Sequence, residues 1–291
     1  FHMDLHHAAY VVAHGWADLV PYYKLRDMVQ PNTNLYWGMS TADCYGGIGA
    51  RWHVDVWGDH SRGSLLMYHA MRPNITARRI ETRLAFPALL RTYGVTHVLS
   101  PFAIPQLGKS IPLPESVARD AHVYRVPGST RVRVVEHATL VKSNEDAVKV
   151  LLNETFDPDE LVVLHDAPAS VVAPPAPETP SALRRSARLE RDGSDFIRVR
   201  ARAPNGGFLV LSDTFFPDWH ATVDGKPAEI YRANISVRAV ALARGEHVVE
   251  FRYEPQARAR GMTISLSAIT LLLLGVLASG VTVLRQRRRA A

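Results

Sequence analysis

Over residues 182–258, apolar and polar residues alternate in short segments that turn signals separate. In DFIRVRARA, Ile197 and Val199 alternate with arginines, and in EHVVEFRYE, Val249 and Phe251 alternate with charged residues. The turn signals are the dipeptides Asp192-Gly193, Asn205-Gly206, Asp224-Gly225 and Arg244-Gly245. Because successive side chains of a strand point to opposite faces, each strand should have one wet face and one buried face. We predict a string of β-hairpins that forms an antiparallel β-sandwich.

The preceding part of the chain has a different pattern, in which helical and strand segments alternate. ETRLAFPALLRTY predicts a helix that ends at Gly94, and VTHVLS predicts the strand after it. RVRVVEHATLV then predicts a strand, NEDAVKVLL a helix capped by Ser143, and ELVVLHD another strand. We therefore expect a small α/β domain over residues 1–166, and the Pro-rich residues 167–181 as a linker to the sandwich. The predicted fold class is α+β.

The segment from Thr263 to Leu284 contains no charged residue and is long enough to cross a bilayer as a helix. A buried helix of a large soluble domain is the alternative, but no polar stripe interrupts the segment. We predict a single transmembrane helix over residues 261–284 and a basic cytoplasmic tail over residues 285–291. The arginines between residues 252 and 260 weaken this charge asymmetry, and they could meet lipid head groups.

The first twenty residues, FHMDLHHAAYVVAHGWADLV, lack a basic leader and an uninterrupted apolar region, so they are not a secretory signal. The protein is then either tail-anchored with its bulk in the cytosol, or the C-terminal piece of a longer protein whose earlier helices export it. A tail-anchored protein would place the basic tail outside, so we expect the second arrangement. The bulk of the chain is then extracytoplasmic, at the cell membrane.

Composition narrows the classes of function. A length of 291 residues with 47% hydrophobic content allows two domains besides the membrane helix. The net charge of +6 comes from arginines dispersed among acidic residues, and no basic aromatic motif concentrates it. We therefore expect no nucleic-acid partner. Cys44 is the only cysteine, which excludes an internal disulfide and a Cys-based zinc site.

Two segments combine aromatic and acidic residues in a way that is typical of carbohydrate sites. They are the glycine-rich segment PNTNLYWGMSTADCYGGIGARWHVDVWGDHSRG and the loop TFFPDWHATVDG. The alternative is a small aromatic core in each place, and since Trp219 opens a predicted strand, we expect its ring to be buried. The candidate carbohydrate-binding residues are Tyr36, Trp37, Asp43, Tyr45, Trp52, Asp213, Asp218 and Trp219.

Histidines and aspartates occur at two spacings that could hold a metal ion. The two sets are His2, His6 and His7, and then His53, Asp55, Asp59 and His60. Neither set completes a recognised zinc motif. We therefore expect no metal and no catalytic residue in these sets.

The segment from FLVLSDTFFPDWHATVDGK to RGEHVVEFRYEP, continued by the final apolar helix, resembles the C-terminal region of the bacterial YfhO-type membrane proteins. TFFPDWHATVDGK is similar to that family's aromatic, Trp and Asp-Gly pattern, and RGEHVVEFRYEP to its Gly-His-Val-Phe-Tyr-Pro pattern. Upstream, NLYWGMSTADCYG and LLRTYGVTHVLS resemble its glycine-tyrosine loop and helix-strand unit. The resemblance covers most of the chain. It departs at Cys44, which precedes Tyr45, and at Asp218, which precedes Trp219 at a position where we expect Gly.

This resemblance implies a polytopic protein similar to glycosyltransferases of the C superfamily. Such proteins use a polyprenyl-phosphate-linked sugar and modify cell-envelope polymers on the outer face of the membrane. Their catalytic acid lies in the first external loop, a part that this chain does not contain. The chain is then expected to be an external domain and last membrane helix without catalytic residues or cofactor. The expected partners are membrane lipid, a polyprenyl-phosphate sugar and a cell-envelope polysaccharide.

Two other classes of function remain open. A membrane-anchored, non-catalytic carbohydrate or cell-wall binding module would use the same aromatic loops and the same sandwich. A self-contained hydrolase or metalloenzyme near residues 53–60 has less support, because no nucleophile elbow, phosphate loop or zincin motif is present. Upstream apolar segments of about 20 residues would favour the glycosyltransferase-like protein, whereas a signal peptide would favour the module.

Overall fold

The computed structural model describes a mixed α+β fold in which strands predominate, as the sequence predicts. The described residues are 51–57, 65–74, 76–113, 121–172, 185–255, 261–276 and 279. Their helices are α1 (Arg51–Trp57), α2 (Met67–Ala70), α3 (Phe86–Thr92), α4 (Asn144–Leu151), α5 (Ala169–Val172) and α6 (261–276), with a 3-10 turn at Pro105–Leu107. Their strands are β1 (Met71–Asn74), β2 (Arg79–Thr82), β3 (His97–Ser100), β4 (His122–Arg125), β5 (Val132–Val135), β6 (His137–Val141), β7 (Leu161–His165), β8 (Ser186–Asp192), β9 (Phe196–Ala203), β10 (Gly207–Thr214), β11 (Trp219–Val223), β12 (Lys226–Ala228), β13 (Tyr231–Ala233), β14 (Val237–Leu242) and β15 (Gly245–Tyr253).

Two larger sheets organise these strands. One has the order β5-β10-β14-β13-β7-β6, and the other has the order β12-β11-β15-β9-β8. Within the six-stranded sheet, β6 and β7 run parallel and α4 connects them. The strands of the five-stranded sheet are antiparallel. Separate two-stranded sheets, β1-β2 and β3-β4, lie near α3 in the chain.

The six-stranded sheet curls so that its two edges meet. Its edge strands β5 and β6 are separated in the chain by Glu136 alone, although they stand at opposite ends of the strand order. The RVRVVEHATLV segment, predicted to be one strand, is therefore two strands: β5 pairs with β10 and β6 pairs with β7. This sheet also contains strands from both sides of the Pro-rich segment 167–181.

The six-stranded sheet separates two hydrophobic cores. Strand β10 shows this most clearly, since Phe208 and Val210 belong to the core shared with α3 and α4, whereas Leu209 and Leu211 belong to the core between the two sheets. Both faces of β10 are therefore covered, which explains its continuous apolar sequence rather than an alternating one. The resulting order of layers is helices, six-stranded sheet and five-stranded sheet.

The five-stranded sheet closes the sandwich with the face that the alternating pattern predicts. Ile197, Val199 and Phe251 are buried against the six-stranded sheet, and the arginines of β9 point outward. This part of the prediction is confirmed. The driving force is the removal of these apolar side chains from water, which stabilises the fold by about 2 kcal/mol for each large side chain.

The four dipeptides predicted as turns do mark bends of the chain, but the two strands that flank a turn are not always paired with each other. Asp192-Gly193 and Asp224-Gly225 join paired strands, as expected for hairpins. The hairpin prediction is wrong for Asn205-Gly206 and for Arg244-Gly245, because each of these turns carries the chain from one sheet to the other. Instead, β10 pairs with β14 in the six-stranded sheet, and β9 pairs with β15 in the five-stranded sheet. This pairing buries the apolar side chains of both cores, and that burial outweighs the local turn signal.

The predicted helix over residues 81–93 begins later than expected. Residues 79–82 form β2, and α3 starts at Phe86 with Pro87 in its first turn. A proline fits the first turn of a helix but clashes with the carbonyl four residues earlier, so the helix cannot extend upstream. The predicted helix end at Gly94 is confirmed by its φ of 67°, and the Ser143 cap by a 3.1 Å hydrogen bond from the Asp146 amide.

The C-terminal segment begins as an exposed helix. Residues 261–276 form α6, whose side chains are exposed although most of them are apolar. In the part of the chain that the structure describes, we find no helix whose length and hydrophobicity would suffice to cross a membrane. The helix predicted over residues 261–284 continues into residues that are, apart from 279, outside the described ranges.

Candidate functional site

Four of the eight predicted carbohydrate-binding residues lie close to one loop. Tyr36, Trp37, Asp43 and Tyr45 fall outside the described residues. The other four are Asp218, which lies within residues 215–218, and Trp52, Asp213 and Trp219, which lie close to that segment. Residues 215–218 carry the chain from β10 in one sheet to β11 in the other. We call residues 215–218 the crossing loop.

Asp213, just before the crossing loop, is held by two arginines. It lies in a β-bulge of β10, where two extra residues interrupt the pairing with β14. Arg131 donates to its two carboxylate oxygens at 2.7 and 2.9 Å, and Arg238 donates to one of them at 3.0 Å. The hydrogen bonds with Asp213 raise the pKa of Arg131. Because both oxygens are engaged, Asp213 links β10 to β14 and to the residue before β5, all within the six-stranded sheet, and is not free to bind a sugar hydroxyl.

Arg238 continues this network into the aromatic residues. Its side chain is 3% exposed, and its guanidinium carbon lies 4.0 Å from the centre of the Trp219 ring. Within the described residues, its Nε and Nη1 atoms have no hydrogen-bond partner. The Trp219 face and the more distant Phe251 ring are thus their main neighbours. Burial lowers the pKa of Arg238 to about 10.

Trp219 is half-buried and contacts other groups on more than one side. Besides Arg238, it packs against Tyr253, with 5.3 Å between the ring centres. The residue before it, Asp218, has a φ of 70°, and its carbonyl accepts a 2.8 Å hydrogen bond from the Glu254 amide. The position of Trp219 at the start of β11 is as predicted, and the expected burial is partial.

Trp52 supports the crossing loop from the other side. Its indole N–H donates to the backbone oxygen of Phe215, and the two rings meet edge to face with 5.7 Å between their centres. Trp52 belongs to α1 and also packs against the core beneath the six-stranded sheet. The ring therefore fixes the loop in place, which is the structural alternative that the sequence left open for this residue.

A cleft of about 440 Å³ opens beside the crossing loop, within the size range of small-ligand sites. Phe216, which is 44% exposed, is the most accessible of its aromatic rings. His220 and Glu229 are exposed and supply polar groups. The residues that line the cleft are Phe215, Phe216, Pro217, Trp219, His220, Ala221, Thr222, Pro227, Ala228, Glu229 and Ile230.

The residues that line the cleft differ from the candidate carbohydrate-binding residues that the sequence predicts. Of the predicted residues only Trp219 lines it, whereas Phe216, His220 and Glu229 were not among the candidates. The adjacent pair Phe215-Phe216 carried a usable signal, because neighbouring extended residues point in opposite directions and only one ring can face the interior. Glu229 lies on the far side of the β11-β12 turn, so its place here depends on the strand pairing.

The second metal-compatible set is used for structure where it is described. Asp55 accepts a 2.7 Å hydrogen bond from Asn144, and His53 lies 3.5 Å from the hydroxyl of Thr214. Asp59 and His60, like the first histidine set, fall outside the described residues. Among the residues whose placement is given, no group of three His, Cys, Asp or Glu side chains could hold a metal ion.

Comparison with known proteins adds no relative to this picture. No protein-family model matches the chain, and no curated protein or solved structure is significantly similar to it.

Proposed function

We propose that the chain is the extracytoplasmic C-terminal domain and last membrane helix of a bacterial, YfhO-like membrane protein that acts on cell-envelope polysaccharide. In this proposal the cleft beside Phe216 holds one or two sugar rings of the polymer. Sugar transfer from a polyprenyl-phosphate carrier would be carried out by an acid outside this chain. The protein would reside in the cell membrane.

The observation that carries the proposal is the combination of an exposed aromatic ring and a few polar groups in one cleft. Phe216 presents an accessible ring face, and His220 and Glu229 supply polar groups in the same lining. Sugars have an apolar face that stacks on aromatic rings and hydroxyls that need directional partners. Trp219 also lines the cleft. Its contacts with Arg238 and Tyr253 cover part of its ring, so we assign it to the wall of the cleft and Phe216 to the stacking contact.

The position of the cleft relative to α6 supports a membrane-proximal role. Trp219 pairs with Tyr253, the last residue of β15, so the cleft lies where the chain leaves the sandwich. From Tyr253 to residue 261 an extended chain spans at most about 28 Å. If the apolar segment 261–284 spans a bilayer, this short connection keeps the cleft close to the membrane surface, where a lipid-linked sugar is transferred.

The backbone at Asp218 also supports the family resemblance. Its φ of 70° lies in the region that favours glycine, because a side chain there crowds the backbone. Glycine is the residue we expect at this position from the resembled family's pattern. The chain thus has Asp where the family pattern has Gly, but its backbone at this position has the conformation that Gly favours.

A carbohydrate titration of the full chain in neutral detergent tests the proposal. The ligands are di- to tetrasaccharides of glucose, galactose and N-acetylglucosamine, and isothermal titration calorimetry gives the affinities. Phe216→Ala should weaken binding about 3- to 10-fold, the value of one aromatic stacking contact. Tyr68→Ala removes an aromatic ring that is 68% exposed on α2 and serves as the matched control.

Two outcomes would contradict the proposed function. One is the absence of binding by the unmodified chain to every saccharide of the panel. The other is equal loss of affinity in the Phe216→Ala and Tyr68→Ala variants, which would place the binding site elsewhere.

A non-catalytic binding module is the second candidate, because the same cleft would serve it. The two candidates differ in the longer protein and agree that this chain binds sugar without transferring it. Incubation of the chain alone with a polyprenyl-phosphate sugar and the best-binding saccharide should give no transfer product. Turnover by this chain would contradict both candidates.

A further inference from the structure

Three arginines surround one aromatic ring on the outer face of the five-stranded sheet. The guanidinium carbons of Arg252, Arg191 and Arg198 lie 4.5, 5.0 and 6.0 Å from the centre of the Phe196 ring. Phe196 is half-buried although it points away from both cores, since the arginine side chains cover it. We call Arg191, Arg198 and Arg252 the arginine cluster.

The arginine cluster carries more positive charge than its neighbours neutralise. Glu250 accepts hydrogen bonds from Arg198 at 2.9 Å and from Arg252 at 3.2 Å, so one carboxylate serves two cations. No described carboxylate forms an ion pair with Arg191, and the neighbouring Asp192 is engaged by Arg131 instead. Two positive charges of the cluster therefore remain without a counter-charge.

The strand register places like charges directly opposite each other. Arg191 of β8 is the partner of Arg198 of β9. Like charges in such a cross-strand pair destabilise a sheet. An anion bound between the two guanidinium groups would convert this repulsion into attraction, and arginine forks match the oxygens of a phosphate group in geometry as well as in charge.

The arginine cluster lies at the end of the sheet from which the chain leaves toward α6. Arg252 pairs with Phe196, and the next residue, Tyr253, donates its amide to the carbonyl of Asp195 at 2.9 Å. At most about 28 Å of extended chain then separates Tyr253 from residue 261. The cluster is thus tethered to an exposed apolar helix, a combination that fits the surface of an anionic membrane.

We propose that the arginine cluster binds the phosphate groups of anionic phospholipids. The proposal rests on the proposed function in one respect, because it takes α6 to be the start of a membrane anchor. It goes further by naming the residues that contact the membrane surface and the lipid class they recognise. Docking of the cluster on the head groups would hold the cleft beside Phe216 at a fixed height above the bilayer.

The test measures binding of short-chain lipids to the full chain in neutral detergent. Dioctanoyl phosphatidylglycerol is compared with dioctanoyl phosphatidylcholine and with glycerol phosphate, and microscale thermophoresis gives the affinities. Neutralising the cluster in the triple variant Arg191→Gln, Arg198→Gln, Arg252→Gln should weaken phosphatidylglycerol binding on the order of 100-fold. The matched control, Arg188→Gln, Arg200→Gln, Arg202→Gln, removes the same charge from the other end of β8 and β9 and should bind normally.

A single variant guards against a folding defect of the triple variant. Arg191→Gln breaks no ion pair of the described residues and should weaken phosphatidylglycerol binding about fivefold. Equal affinities for the two lipids, or equal loss in cluster and control variants, would overturn the proposal. Glycerol phosphate binding as tightly as phosphatidylglycerol would overturn the lipid assignment, since the cluster would then be a site for soluble phosphates.

A separate assay distinguishes failure of this inference from failure of the proposed function. Membranes that contain the protein are washed with alkaline carbonate, which removes proteins that lack a spanning segment. Release of the protein contradicts the membrane anchor whatever the lipid titration gives. Retention together with no preference for phosphatidylglycerol contradicts the arginine cluster alone.

Discussion

Arg238 stacks on Trp219 with 4.0 Å between its guanidinium carbon and the ring centre, and it donates to Asp213 from the same buried position. The contact joins β14 of one sheet to β11 of the other. Trp219 therefore belongs to the framework that holds the crossing loop, whereas Phe216 is the ring that faces solvent.

We expect Trp219→Ala to lower the free energy of unfolding by about 3 kcal/mol, at the lower end of the range for a large buried ring because Trp219 is only half-buried. The variant would also remove the aromatic face beside the Arg238 N–H groups that have no hydrogen-bond partner among the described residues. Urea unfolding of the full chain in neutral detergent measures the change. Phe216→Ala, the control from the same loop, should cost less than about 1 kcal/mol. A Trp219→Ala variant that unfolds like the wild type would contradict this account.

The fold also contains a buried histidine whose protonation should couple to stability. His165 ends β7, is 2% exposed, and its Nε2 atom has no hydrogen-bond partner among the described residues. Burial, followed by the charge of Arg232, lowers the pKa of His165 from 6.5 to about 4. Arg232 lies directly opposite it on β13.

Between pH 6.5 and about 4, the unfolded chain binds a proton that folded His165 does not bind. Stability is therefore lost as the pH falls through this interval, by an amount on the order of 3 kcal/mol, and this group causes no further loss below it. Unfolding free energies at pH 7 and pH 4 should differ less in His165→Gln than in the wild type. The variant His137→Gln controls for the loss of an exposed imidazole on β6. Identical pH dependence in His165→Gln and the wild type would rule out the coupling.

Gly207 tests the junction between β5 and β10. Its φ is 120°, and a Cβ atom there would overlap the carbonyl oxygen of Val135. Gly207→Ala should therefore destabilise the protein by more than about 3 kcal/mol, or prevent folding. Gly225→Ala is the control, because Gly225 also has a positive φ but has nothing within 4 Å of the added atom, and it should cost about 1 kcal/mol. Similar losses in the two variants would mean that β5 does not pack against β10 in this way.

Local signals in the sequence predicted local features of the fold. The alternation in β9 and β15 gave the correct buried faces, and Ser143 and Gly94 marked true helix ends. These features depend on the period of the strand and on helix capping, both of which act within a few residues. The late start of α3 could have been predicted as well, since Pro87 already stands in the segment.

Long-range features could not be obtained in this way. The residue Glu136 divides two strands that lie at opposite edges of a curled sheet, and nothing in RVRVVEHATLV marks that division. Likewise, the sequence does not show that Asp213 lies in a bulge and is bound by Arg131 and Arg238, which come from distant parts of the chain. The cleft combines residues from the crossing loop with Glu229, so it exists only once β11 has paired with β12.

The membrane topology is the most direct test of the central claim, which is that the bulk of the chain lies outside a membrane crossed by its C-terminal segment. In a Cys44→Ser background, Lys226→Cys places a thiol at the exposed start of β12 in the sandwich, and Ala290→Cys places one in the basic tail. Spheroplasts of cells that natively produce the protein are treated with an impermeant maleimide before and after lysis. The account predicts labelling of the Lys226→Cys variant in intact spheroplasts and of the Ala290→Cys variant only after lysis; labelling of Lys226→Cys only after lysis would contradict it.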